Sequence, residues 1–235
     1  MRADRARRDT ERGRRDIKGS DPFRKGDRRA ELLAIGRRLF ASHAYDELSI
    51  DELAARAGVA KGLLYYYFGS KRGYYVAVVE AAAAELRERT ATDPADPPAV
   101  RLAAALDAHL RYIEEHADGY RALITGGVGT DPQVRAIVDA ERSRHLALVA
   151  GALIGGGEQP PALRAALEGW MSFLEGVSLD WLARKDLERA QVRDLIVHGL
   201  AGAIAAARAV DPSVSPDPEA VIAGLRSPGP STPRR

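Results

Sequence analysis

The sequence predicts an all-α fold, and three observations support this prediction. Alanine and leucine dominate, β-branched residues are sparse, and no convincing run alternates apolar with polar residues. The chain has 235 residues, of which 46% are hydrophobic, so it is long enough to bury a sizeable core. We therefore expect a helical protein that folds without disulfide or metal cross-links.

The first two helices have clear start signals. Asp27 is a suitable N-cap, and apolar residues recur after it at three- and four-residue spacing through Ser42, which predicts helix one. Ser49 lies three residues before Glu52, the spacing at which hydroxyl and carboxylate cap the same helix start. Helix two is therefore expected over 50–57.

Glycine and proline set the boundaries of the later helices. Gly58 ends helix two, because glycine readily adopts the left-handed conformation, and helices three and four follow at 60–68 and 71–90. The stretch 211–235 is rich in proline and serine, so we expect a loose tail with at most a turn of helix at 219–225. Further helices are predicted at 98–116, 118–125, 131–154, 161–184 and 187–209.

Charge is distributed unevenly along the chain. The formal net charge is only +2, yet residues 1–29 hold twelve Lys and Arg against six Asp and Glu. Residues 1–26 are polar and aperiodic, which is typical of disorder. We expect a disordered basic arm that meets a polyanion. The predicted parts are this arm, a helix-turn-helix unit at 27–75, a helical domain at 76–210 and the tail at 211–235.

Helices two and three form a pair joined by a tight glycine turn, the geometry that lets a second helix lie in the DNA major groove. On helix three, Leu64 and Phe68 share a face that matches Leu53 and Ala54 on helix two, with Tyr67 at its border. The other positions turn wholly or partly outward: Lys61, Gly62, Leu63, Tyr65 and Tyr66.

These outward residues suit a phosphate surface. A tyrosine hydroxyl donates to phosphate oxygen, and lysines supply charge at both ends of the helix. Gly62 allows close approach to base edges, Leu63 can touch a thymine methyl, and Ser49 combines a hydroxyl with the free amides of a helix start. The alternative is a small helical hairpin with ordinary half-buried tyrosines.

The stretch Arg29 to Tyr75 resembles the N-terminal domain of the TetR (tetracycline repressor) family of bacterial transcription regulators. The resemblance covers "ELLAIGRRLFASHAYDELSIDELAARAGVAKGLLYYYFGSKRGYY". Two positions depart from the family pattern, since Ala60 replaces a common capping Ser and Leu63 a frequent Thr or Ser. The resemblance implies phosphate contacts by Ser49, Tyr65, Tyr66, Tyr67 and Lys71, with Lys61, Gly62 and Leu63 nearest the bases.

By resemblance, the rest of the chain is a helical regulatory domain that binds a small effector and carries the dimer interface. A stripe with both tryptophans (Trp170, Leu174, Val177, Trp181) and a stripe of small residues (Gly199, Gly202, Ala203, Ala206) favour a four-helix interface between two chains. Polar groups available to a pocket are His109, His145, Glu168 and Glu175. Candidate pocket residues are Tyr112, Tyr120, Leu123, Ile124, Trp170, Phe173 and Trp181, for each of which core packing or a dimer contact is the alternative.

Other functional classes find little support in the sequence. The chain has no cysteine, which excludes thiolate chemistry and disulfides. The segment "GGVGTDP" lacks the features of a phosphate-binding loop, and the five histidines show no metal-protease spacing, so we expect no catalysis, cofactor or metal. No secretory signal or membrane-spanning run is visible, so we expect a cytoplasmic protein without a membrane partner.

The sequence therefore predicts a homodimeric helix-turn-helix regulator, most simply a repressor of a palindromic double-stranded DNA operator that an unidentified small-molecule effector relieves. One alternative is an architectural DNA-binding protein without an effector. The basic arm either adds phosphate or minor-groove contacts or only solubilises the chain.

Overall fold

The computed structural model describes residues 22–126, 131–155 and 158–226, and these ranges contain helices but no strand, which confirms the all-α prediction. A single 3₁₀ turn, Tyr45–Glu47, joins the first two helices. The helices are α1 (Pro22–Ser42), α2 (Ile50–Arg56), α3 (Lys61–Phe68), α4 (Lys71–Arg89), α5 (Pro98–Glu115), α6 (Ala117–Gly126), α7 (Pro132–Ile154), α8 (Pro161–Arg184), α9 (Arg189–Val210) and α10 (Pro218–Arg226).

Helices α1 to α3 and the start of α4 pack around a small core of their own. Leu32, Leu53 and Leu64 are fully buried there, together with Tyr74 from the first turn of α4. The Tyr74 hydroxyl donates to the carbonyl of Leu32, and burial raises the pKa of Tyr74 to about 12. Because this bond joins α1 to α4, it ties the helix-turn-helix unit to the helix that leads into the larger helical domain.

The larger core lies between α5, α8 and α9. Ile113, Leu163 and Ile196 are completely buried in it. The predicted tryptophan stripe faces this core rather than a second chain: the Trp170 indole donates to the carbonyl of Ile196, and Trp181 is equally buried. No helix among the described residues is long and apolar enough to cross a bilayer.

Both ends of the described chain are more ordered than the sequence suggested. Helix α1 begins at Pro22 rather than at Asp27, so the last residues of the predicted arm are helical; proline at a first helical position lacks only an N–H that would be unpaired there anyway. At the other end, Val214 and Leu225 of the predicted loose tail are buried in the larger core. Residues 1–21 of the arm lie outside the described residues.

The two cores meet along α1 and α4. Helix α1 packs on α6, and α4 packs on α7. Two ion pairs tie these helices together: Arg37 of α1 with Glu85 of α4, and Arg72 of α4 with Asp131 at the start of α7, whose Nε to Oδ2 distance is 2.6 Å. The helix-turn-helix unit therefore packs directly on the helices of the larger helical domain.

Candidate DNA interface and candidate ligand cavity

The turn between α2 and α3 has the local geometry that its sequence predicts. The Ser49 hydroxyl accepts a hydrogen bond from the Glu52 amide at 3.2 Å, and the Ser49 amide donates to the Glu52 carboxylate at 2.7 Å, so the predicted capping box is present. The bond from the Ser49 amide lowers the pKa of Glu52. Gly58 has a φ of +65°, and Val59 donates its amide to the carbonyl of Ala54. The Ser49 hydroxyl proton stays available to a further acceptor, such as a phosphate.

Helix α3 presents one face to the core and one face to solvent. Leu64 is buried, whereas Tyr65 and Tyr66 are 44% and 65% exposed. Leu63 and Tyr67 are half-buried at the border. A partner that covers the exposed tyrosine rings removes their apolar surface from water, which is favourable. This face is therefore suited to contact a partner surface.

The cations of this face are held by neighbouring side chains. Lys61 Nζ lies 2.9 Å from Asp51 Oδ2 and 5.9 Å from the centre of the Tyr65 ring. The hydrogen bond to Asp51 raises the pKa of Lys61. Lys71 Nζ lies 4.0 Å from the centre of the Tyr45 ring. Both ammonium groups are thus oriented beside tyrosine rings.

Two features bear on how this face recognises DNA. Ala60, at the start of α3, makes no side-chain capping bond, and Gly62 is exposed with open space around it. A helix start with uncapped amides can donate to phosphate, and an apolar Leu63 beside it offers no hydrogen bond to a base. The face is therefore better equipped to hold the DNA backbone than to read bases.

Gly73 has a structural role that sequence spacing did not reveal. A Cβ at this position would lie 2.1 Å from the carbonyl oxygen of Phe68, because the first turn of α4 passes directly over the end of α3. The nearby Ser70 side chain caps α4 by accepting the Gly73 amide at 2.9 Å. The absence of a side chain at Gly73 thus lets the start of α4 lie against the end of α3. The neighbouring sequence gives no sign of this contact.

A cavity of about 160 Å³ lies where the two cores meet. Its wall includes Arg37, Phe40 and Ala41 of α1, together with side chains of α4 to α8. Among the candidate pocket residues, the structure brings Tyr112, Tyr120, Leu123 and Ile124 to this wall, along with His109, His145 and Glu175.

Three candidates lie elsewhere. Trp170 lines a second cavity of about 50 Å³. Phe173 lines neither of these cavities, is 39% exposed, and packs against Gly199. Trp181 is buried outside both cavities, where its indole donates to the carbonyl of Leu187. Helical spacing placed these residues on α8 but could not say which helix each would face.

The charged side chains of the larger cavity take part in ion pairs. Arg142 contacts Glu175 of the same wall at 2.6 Å and the carboxylate of Glu168, a candidate that does not line the cavity, at 3.5 Å. Burial lowers the pKa of His109 to about 3 and that of His145 to about 4, so both rings are neutral near pH 7, and burial raises the pKa of Tyr120. Among the described residues, no group of His, Asp and Glu is arranged to hold a metal ion.

Two family models match this chain. Residues 32–78 match the model described as bacterial regulatory proteins, tetR family, and residues 98–203 match the tetracyclin repressor-like C-terminal domain. The matches cover the helix-turn-helix unit and most of the regulatory domain, respectively.

Individual relatives support the same assignment. The transcriptional activator FasR of Mycolicibacterium smegmatis is 37% identical over 118 residues, 48% of this chain and 52% of FasR. The transcriptional regulator EthR of the same species is 35% identical over 71 residues, 30% of this chain and 31% of EthR. The chain thus spans about half of FasR and a smaller part of EthR in these matches.

A solved structure extends the likeness to nearly the whole fold. A TetR-family regulator from Streptomyces coelicolor superposes with a TM-score of 0.72 and 28% identity, over 85% of this chain and 88% of that chain. The helix-turn-helix geometry, the two family models and this structural match agree. The chain belongs to the TetR family of helix-turn-helix DNA-binding transcription regulators.

Proposed function

We propose that the chain is a homodimeric repressor that binds a palindromic operator and is released from it by a small ligand. The ligand would occupy the cavity at the junction of the two cores. By binding one conformation better than the other, it would change the separation of the two recognition helices in the dimer.

The position of the cavity carries this proposal. Arg37, Phe40 and Ala41 belong to α1 of the DNA-binding unit, yet they line a cavity whose wall comes mostly from the regulatory domain. Ala41 also lies beside Gly119 of α6, where an added Cβ would be in ordinary van der Waals contact with the Ala41 side chain. A molecule that fills this space presses on α1 directly, and α1 is bonded to α4 through Tyr74. A coupling of about 1 to 3 kcal/mol is enough to alter operator occupancy measurably.

The proposed dimer uses the outer faces of α8 and α9. Because Trp170 and Trp181 face the chain's own core, the opposite side of α8 is the side that remains for a partner. Phe173 and Leu195 are exposed there, 39% and 44% respectively, among small residues. These exposed small residues are Ala165, Gly169 and Gly176 on α8 and Gly202 and Ala206 on α9.

A face of this kind favours close packing of two helix pairs into a four-helix interface. The dimer has a direct test in light scattering of the purified chain. We expect a dimer for the wild type and a monomer for Leu195→Arg, which places a charge in the interface. Arg164→Ala, at an exposed cation of α8, is the control that should stay dimeric.

Operator binding is tested by selecting bound sequences from random double-stranded DNA with the purified chain. We expect a near-palindrome whose half-sites lie about one helical turn apart. The selected site then serves in gel-shift titrations with a metabolite panel, where release of the DNA identifies an effector. Selection of asymmetric sites by a monomer would rule out the proposed binding mode. If ligands that bind the cavity leave the protein–DNA complex intact in the gel shift, an effector-independent protein is favoured.

Activation is a second candidate, because the relative FasR is named an activator. Both candidates require operator binding, and they differ in its effect on transcription. A reporter gene downstream of the selected site decides between them: deletion of the regulator raises expression if the chain represses and lowers it if the chain activates. Because the proposed partner is the chromosome, we infer a cytoplasmic location.

A further inference from the structure

The larger cavity and the second cavity are neighbours separated by a thin partition. His109, His145, Met171 and Leu174 line both of them. Beyond the partition, the second cavity is lined by apolar side chains, which include Leu106, Val197 and Leu225. Methionine changes rotamer easily, so a partition that contains Met171 can open without displacing a helix.

The partition holds a histidine with unmet hydrogen-bonding capacity. Both ring nitrogens of His109 are buried and have no hydrogen-bond partner in the described part of the chain. The His109 ring lies edge-on to Tyr120 and to His145, with ring centres 6.3 and 5.5 Å away. A neutral imidazole offers one donor and one acceptor, and burying both unpaired is unfavourable unless a ligand meets them.

Charged groups near the partition are already neutralised. His145 Nε2 lies 3.0 Å from Arg144 Nη2, and Arg144 is itself paired with Glu141. On α8, Glu175 is paired with Arg142. A charged ligand group at His109 would therefore be buried without a free counter-charge, which is strongly unfavourable. A neutral polar group would not meet this obstacle.

The size of the larger cavity limits what it holds alone. An apolar protein cavity of about 150 Å³ accommodates one benzene ring, and the larger cavity, with its 160 Å³, is of that order. A longer apolar molecule gains further burial by passing the partition into the second cavity. Such a molecule runs past His109 along its length, not at its end.

We propose that the two cavities form one ligand site with two compartments, and that its ligand is an elongated, uncharged, mostly apolar molecule whose hydrogen-bonding group lies within the chain and meets His109. The class includes internal alcohols, ketones and esters. This inference rests on the proposed function only in treating the cavity as the effector site.

Two isomeric probes test the proposal: 5-nonanol, whose hydroxyl is in the middle, and 1-nonanol, whose hydroxyl is at the end. Their binding to the full-length chain is measured by calorimetry without DNA. Because only 5-nonanol can fill both compartments and still reach His109, we expect it to bind about tenfold more tightly than 1-nonanol. Equal affinities, or tighter binding of 1-nonanol, would overturn the proposal.

Three variants show which residues cause the preference for 5-nonanol. For each variant we compare the ratio of its affinities for the two probes, because a change in overall stability affects both affinities equally. His109→Leu keeps the apolar volume and should bring the ratio to about one, whereas His109→Gln should restore part of it. Ala105→Leu fills the second compartment, which Ala105 lines without touching the first, and should also bring the ratio to about one. A wild-type ratio in His109→Leu or in Ala105→Leu contradicts the proposal.

The outcome is separate from that of the proposed function. If the chain prefers 5-nonanol to 1-nonanol but binds no palindromic DNA, the two-compartment site is supported and the repressor proposal is rejected. If the chain binds its operator but binds the two nonanols equally, the repressor proposal is supported and this ligand class is rejected.

Discussion

The DNA-binding unit and the ligand cavity differ in how their residues are brought together. The recognition face comes from a short contiguous stretch, Ser49 to Lys71, in which helical spacing alone decides which side chains face outward. The cavity wall draws on six helices, from Arg37 of α1 to Glu175 of α8. Spacing along one helix indicates a face, but a cavity depends on which faces converge, and that is a property of the tertiary packing.

The largest expected difference between the two regions is their response to acid. His109 and His145 have pKa values lowered to about 3 and about 4 by burial, whereas their ordinary value is 6.5. Below pH 6.5 the unfolded chain takes up protons that the folded chain does not. The free energy of unfolding should therefore fall as the pH decreases from about 6.5 to about 4, by up to about 1.4 kcal/mol per pH unit for His109 alone.

Urea unfolding at pH 7 and pH 5 measures this effect. Replacing both cavity histidines by leucine should flatten the dependence, and His43→Gln in the DNA-binding unit is the matched control that should leave it unchanged. An unchanged slope in the double leucine variant would show that the buried rings are not the source.

The next effect lies within the DNA-binding unit, at Gly73. Gly73→Ala should lower the free energy of unfolding by about 1 to 3 kcal/mol, because the new Cβ would overlap the Phe68 carbonyl and force α3 away from α4. Gly62→Ala is the control: nothing lies near its Cβ, so it should raise helix stability by up to about 1 kcal/mol. Thermal unfolding of the two variants tests the contrast, and equal destabilisation by both would refute it.

Sequence reasoning reached further in the DNA-binding unit than in the regulatory domain. It predicted the Ser49 capping box, the inward Leu64 and the outward Tyr66, because each depends on neighbours within one or two turns. The helices of the regulatory domain were also predicted close to their observed bounds, since Gly, Pro and Asp clusters mark their ends.

Positions that depend on distant helices escaped prediction. Phe173 and Trp181 share α8 with Trp170, yet neither lines a cavity, because their orientation follows from the packing of α8 on α9. Likewise the turn of helix predicted at 219–225 is present as α10, but its packing into the core through Leu225, beside α5 and α9, was not predicted. A segment rich in proline gives no local sign of such burial.

The smallest expected effects concern individual contacts of the recognition face. Tyr65→Phe and Lys71→Ala should each weaken binding to every DNA sequence by about fivefold, because we expect the Tyr65 hydroxyl to donate to a DNA phosphate and the Lys71 ammonium to neutralise one. For Lys71→Ala, the slope of log affinity against log salt should also become shallower by about 0.9. Gel-shift titrations at several salt concentrations measure both quantities.

Arg164→Ala, which removes an exposed cation on α8 far from the recognition face, should bind like wild type. If both variants of the recognition face also bind like wild type, this face does not meet DNA.

Filling the cavity beneath α1 should weaken operator binding at the recognition face, and a pair of cavity-filling variants tests this coupling without any ligand. Ala122 lines the cavity next to α1, whereas Ala105 lines only the second cavity. In gel-shift titrations with the selected operator, Ala122→Phe should bind about fivefold or more weakly than wild type, and Ala105→Phe should bind like wild type. Wild-type operator affinity in a folded Ala122→Phe dimer would contradict the account.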